Sequence, residues 1–150
     1  MSSVKKILCA IDFTERSYNA LEKAVEIASK SSAELHLVHV VPRQQHLEEY
    51  RSVACSLPDH IESRMILDSY LKLAVIIEQR IPKDIKARLC IRLGDPALEI
   101  VHSAITESAD LIVLGKEESK GWRRFIAHTV TDKVIRQASC PVVAIQSVHH

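Results

Sequence analysis

The sequence predicts an α/β protein: a parallel sheet with helices on both faces, in a single domain spanning residues 1–150. Five short apolar runs, KILCAI (6–11), ELHLVHV (34–40), KARLCIRL (86–93), DLIVL (110–114) and PVVAI (141–145), read as strands buried on both faces. Helical patterns alternate with them, and a helix between strands is the connection that parallel pairing requires. A length of 150 residues suits one core that buries about 70% of the unfolded surface.

Each connection carries its own signals. After the first run Thr14 stands as an N-cap, and Ala20, Leu21, Ala24, Val25 and Ala28 form one stripe at helical spacing. Residues 42–58, PRQQHLEEYRSVACSLP, are polar and aperiodic, a loop with room for a short extra helix. Residues 59–81 place Ile66, Tyr70, Leu73 and Ile77 on one stripe; LKLAVII alone would pass for a strand, and the length of the pattern decides for a helix. After the third run Asp95 is an N-cap and Pro96 takes the first helical position, where a missing N–H costs nothing. The last helix is expected from Thr129 to Ala138, with Thr129 and Asp132 spaced like a capping box.

Composition excludes several classes. Hydrophobic residues make up 47% and charged residues 26%, with a net charge of +1, so nothing in the bulk charge draws the chain to nucleic acid or to an anionic membrane. No apolar run approaches the ~18 residues of a membrane span. The N-terminal MSSVKKILCAIDF reaches Asp12 too soon for a secretory leader, and the expected location is the cytoplasm. Cys9, Cys55, Cys90 and Cys140 lack metal-ligand or CxxC spacing, and three of them lie in or directly beside strand-like runs, so they read as packing residues. His36 and His39 fall an odd number of residues apart on one strand and therefore on opposite faces, which excludes a metal pair. No nucleophile elbow, Walker-type loop or His-Glu-x2-His helix is present.

In an open parallel sheet, ligands bind outside the carboxyl ends of the strands, near the point where strand order reverses. Those ends carry Asp12, Val41, Gly94 and Gly115, and Gly115 opens the loop LGKEESKGWRRFIAHTVT (114–131). Asp12 is either a ligand contact or a solvated strand-end acid. Thr129 and Thr131 could meet a phosphate, although Thr129 is explained as a helix cap. Lys116, Lys120, Arg123 and Arg124 outnumber Glu117 and Glu118 in the loop, while Trp122 stacks on a base or buries against the loop's own stem.

Several stretches in order, KKILCAIDFTERSYNAL, AELHLVHVV, GDPALEIVHSAITESADLIVLG and TVTDKVIRQASCPVVAI, resemble the universal stress protein family over nearly the whole chain. The resemblance implies a five-stranded parallel sheet in the order 3-2-1-4-5, Rossmann-like and of the adenine nucleotide alpha hydrolase type. It also implies a homodimer and a role in the response to stress. The expected dimer contact is the last run, Pro141–Ile145, an edge strand whose apolar sequence would leave an unpaired edge in a monomer. A downstream protein partner is not named by the sequence, and neither nucleic acid nor membrane is expected.

ATP-binding members of that family carry Gly-x2-Gly-x9-Gly-[Ser/Thr] after the fourth strand. Aligned from Gly115, this chain reads Gly115, Glu118, His128, Thr129. Glycines there let backbone N–H groups reach the phosphates without an intervening Cβ. Two like charges ~5 Å apart repel by about 0.8 kcal/mol in water and by several-fold more in a partly dry cleft, so Glu118 opposes a triphosphate. Gly121 offers a shifted register. By the resemblance, Asp12 and Val41 match positions near the adenine, and the candidate site is Asp12, Val41, Gly115, Lys116, Gly121, His128, Thr129, Val130 and Thr131. The expected function is a non-catalytic regulator with absent or weak nucleotide binding, whose last helix N-terminus accepts phosphate or sulfate. The alternative is an ATP- or AMP-binding sensor or slow ATPase.

Overall fold

The computed structural model describes residues 3–43, 61–116 and 129–146. They form five strands and four helices: β1 (Lys6–Ala10), α1 (Glu15–Ser31), β2 (Glu34–Val41), α2 (Ile61–Arg80), β3 (Ala87–Leu93), α3 (Pro96–Thr106), β4 (Leu111–Gly115), α4 (Val130–Gln137) and β5 (Val142–Ile145). Every strand pairing is parallel, and the order is β3-β2-β1-β4-β5. The family resemblance implied this order. The loop expected over 42–58 lies outside the described residues beyond Arg43.

Alternation along the strands divides the core in two. Ile7, Cys9, Leu35, Leu37, Leu111 and Val113 face α1 and α2, whereas Leu8, Val38, Ile112 and Leu114 face α3 and α4. Burying both faces of every central strand is what turned these strands into continuous apolar runs. The Cys9 thiol is wholly buried, which pushes its pKa up to about 12 and leaves it an inert packing group. Cys90 and Cys140 are likewise free thiols, and Cys55 lies outside the described residues.

The helix starts follow the caps. Thr14 Oγ1 accepts from Ser17 N at 3.4 Å, Asp95 Oδ2 from Leu98 N at 3.1 Å, and Thr129 Oγ1 from Asp132 N at 3.1 Å. Along α1 the buried residues include Ala20, Leu21, Ala24 and Ala28, the expected stripe, with Val25 at its margin. For α2 the expected face is turned. Its buried residues are Ser69, Leu73 and Ile76, while Tyr70 is half exposed. The helix is apolar on more than one side, so periodicity fixes its existence but not its rotation. No helix among the described residues is long and apolar enough to cross a membrane.

Candidate functional site

Strand order reverses between β1 and β4, because β2 lies on one side of β1 and the chain returns to the other side only with β4. A cleft of about 160 Å³ opens there at the carboxyl ends of the strands. Its walls come from Ala10–Asp12, from Val38–Val40 of β2, from Leu114 and Gly115, and from the first turns of α1, α3 and α4. Three helix N-termini thus meet at one opening. Each contributes a partial positive charge of roughly half an elementary unit, and Arg16 on α1 adds a full one. The cleft favours an anion while its mostly apolar lining suits a flat organic group.

Among the described residues, Asp12 is the one carboxylate in that lining. Its Oδ1 accepts from Thr14 N at 3.0 Å and from the Thr14 hydroxyl. Burial of the group opposes its charge. The hydroxyl and amide of Thr14, the Ser17 hydroxyl and the Arg16 guanidinium outweigh that and hold the carboxyl below the usual carboxylate range. Between Asp12 and Thr14, Phe13 takes φ 64, a region costly for a bulky side chain. That turn directs the Phe13 ring onto His39, with ring centroids 4.5 Å apart.

His39 is a cleft residue that the sequence reading weighed only as a metal ligand. Its Nδ1–H donates to the Ile11 carbonyl at 2.7 Å. Burial lowers its pKa most; the Ile11 carbonyl and Asp12 pull the other way, Lys72 adds to the lowering, and the net shift is downward. The ring is therefore neutral at pH 7, and with the proton on Nδ1 its Nε2 is an acceptor. The available signal was its place two residues before the end of β2. Arg16, also missed, sits one helical turn after Asp12. His36 lies on the opposite face, beside Glu34 and Glu107 at 3.2 and 3.6 Å. No group of three metal-ligating side chains occurs among the described residues.

The other expected residues divide. Gly115, Val130 and Thr131 line the cleft. Gly115 is required for a reason unrelated to phosphate: a Cβ there would stand 2.7 Å from the Arg16 carbonyl oxygen, so glycine is what lets α1 pack against the end of β4. The Thr131 hydroxyl is buried and donates to the Gly115 carbonyl at 3.0 Å, tying α4 to the same strand. Thr129 acts as the cap. Val41 lies outside the cleft lining, where Val40 stands instead; its side chain is fully buried and its carbonyl accepts from Gly94 N at 2.9 Å. Lys116 also lies outside the lining, with an exposed side chain and a backbone N–H bonded to Ile145. Gly121 and His128, with Glu117, Glu118, Lys120, Trp122, Arg123 and Arg124, lie outside the described residues.

A parallel α/β sheet with a cleft at its switch point defines a Rossmann-like type of fold. The model of the universal stress protein family matches residues 3–146, and the chain belongs to that family. It is 28% identical over 145 residues to universal stress protein YxiE of Bacillus subtilis, covering 94% of this chain and 98% of that one. In fold it matches the hypothetical protein MJ0577, with a TM-score of 0.78, 23% identity and coverage of 99% and 100%. It also matches the universal stress protein from Archaeoglobus fulgidus in complex with dAMP, with a TM-score of 0.62, 23% identity and coverage of 97% and 99%.

Proposed function

We propose that this protein is a non-catalytic regulatory member of its family, acting in the stress response, whose cleft takes a nucleoside monophosphate or a small anion weakly and excludes ATP. The carrying observation is an asymmetry within the cleft. At the β1–β2 end a charged Asp12 and a neutral His39 are held by their own hydrogen bonds, ready for ribose hydroxyls and a base N–H. Toward the loop, the one glycine kept at the motif positions is Gly115, and packing against Arg16 accounts for it. Glu118 and His128 stand in sequence where the other two glycines would be.

A catalytic role finds little support in Asp12. Its acidity is increased, and a base with a pKa so far below 7 accepts a proton poorly. The second reading, an adenylate sensor that holds ATP or AMP, is favoured by the three helix N-termini and Arg16 at the opening, and by the dAMP complex of the Archaeoglobus relative.

Calorimetric titration of the purified protein with AMP, with ATP and magnesium, and with inorganic phosphate separates the readings. AMP or phosphate binding in the high micromolar to millimolar range, with ATP weaker still, is the expected pattern. Micromolar ATP binding would replace the first reading by the second. Steady ATP consumption that disappears in Asp12→Ala would overturn the non-catalytic assignment.

A further inference from the structure

The outward face of α2 carries an apolar run in its middle, with Asp68 beside it and Arg64 and Glu78 at its two ends. Leu67, Leu71 and Val75 are 55%, 53% and 51% exposed, and Tyr70 beside them is 49% exposed. At about 100° per residue, Leu71 points almost directly away from the sheet-facing stripe of Ser69, Leu73 and Ile76, and Leu67 and Val75 lie about 40° to either side. Such a run on one helix face marks a contact surface. α2 rests over β2 and β3, at the far end of the sheet from β5, so the surface is separate from the free edge of β5.

We propose that this face docks on the same face of a second copy of the chain, antiparallel about a two-fold axis at Leu71. The sequence of the helix is complementary to its own inversion. Turned about Leu71, Leu67 falls on the partner's Val75, and Arg64 falls on the partner's Glu78. Arg64 and Glu78 are both exposed and stand within about 20° of Leu71 around the axis, at the two ends of the same ridge. A two-fold contact of this kind makes each pair twice, giving an apolar centre flanked by two opposite-charge pairs. A parallel arrangement would set Arg64 against Arg64 and Glu78 against Glu78, which selects the antiparallel one. Among the described residues Glu78 pairs with Lys83 alone, loosely and exposed at 3.7 Å, a contact of little strength that leaves it open to the partner.

The seam from residue 64 to residue 78 is about 21 Å long and about 10 Å wide, less than the ~800 Å² per partner of a standard interface. The association is therefore weak, with a dissociation constant in the tens of micromolar or above.

Sedimentation velocity of the intact protein, from micromolar to several hundred micromolar, tests the proposal. The wild type should show a weight-average sedimentation coefficient that rises with concentration, and Leu71→Glu should abolish the rise while leaving the circular dichroism spectrum and Tm unchanged. Arg64→Glu and Glu78→Arg should each weaken association by roughly fivefold or more, since each sets like charges together twice. The double variant Arg64→Glu/Glu78→Arg should recover wild-type association to within about twofold. If β5 edges also pair, the rise runs from dimer to tetramer and longer chains, because each such dimer carries an α2 face at both ends, and Ala144→Pro lowers the starting species without removing the Leu71-dependent step. A flat wild-type profile, a rise that Leu71→Glu leaves intact, or a double variant no better than the single ones would overturn the proposal.

Discussion

Asp12 stays ionised far below neutral pH because two donors on Thr14, the Ser17 hydroxyl and the Arg16 charge outweigh the cost of its partial burial. A lowered carboxylate pKa contributes stability above the unfolded value, and that contribution is lost as pH falls through the lower folded value. Asp12→Ala should therefore cost about 1 kcal/mol at pH 7, kept small by the exposure of the group, and the difference from wild type should shrink as pH falls below the ordinary carboxylate value and vanish once it has passed the lower folded one. Urea denaturation across that range measures it. His39 also has a lowered folded pKa, but it is a base, so between that value and 6.5 the unfolded chain binds more protons. Stability should be complete above pH 6.5 and fall as pH drops below it. In His39→Asn, which keeps a donor for the Ile11 carbonyl, that part of the slope should disappear; an unchanged slope would place the titration elsewhere.

Local signals explain why some elements could be read from the sequence and others not. Caps act within three residues, so Thr14, Asp95 and Thr129 announced their helices, and all three accept the expected backbone bond. The rotation of α2 was illegible because apolar residues occupy two of its sides and only the sheet chooses between them. Gly115 was legible as a special position but not for its cause, since the Arg16 backbone that forbids a Cβ lies 99 residues earlier in the chain. Gly115→Ala should lose about 1–3 kcal/mol by overpacking α1 on β4, read as a lowered Tm with no ligand present. At the edge, Pro141 and Ile145 direct their carbonyls to β4, so alternation turns the N–H of Ala144 outward. Val143 packs against the core beneath α1 and is the poorer site for a test of assembly. Ala144→Pro removes only an outward donor and should weaken any pairing of β5 with its mate, seen as a smaller species in sedimentation at unchanged Tm.

At the scale of the whole molecule, the alternation of continuous apolar runs with helical patterns dictated a parallel sheet, and the family resemblance supplied its order. The cleft followed from the topology, because the reversal between β1 and β4 leaves a gap above their carboxyl ends whatever side chains line it. The side chains that give the cleft its chemistry were only half legible. Asp12 announces itself at a strand end, whereas His39 and Arg16 acquire their roles from contacts that the fold makes. The proposed function holds that the cleft takes a nucleotide and that Glu118 and His128 of the following loop deny it a triphosphate. The direct measurement is calorimetric titration of Glu118→Gly/His128→Gly with ATP and magnesium beside the wild type. Removing the carboxylate and both side chains should tighten ATP binding tenfold to a hundredfold, about 1.4–2.7 kcal/mol, and leave AMP binding within about threefold. An affinity for ATP that does not change, or a wild type that already binds ATP at micromolar concentration, would contradict it.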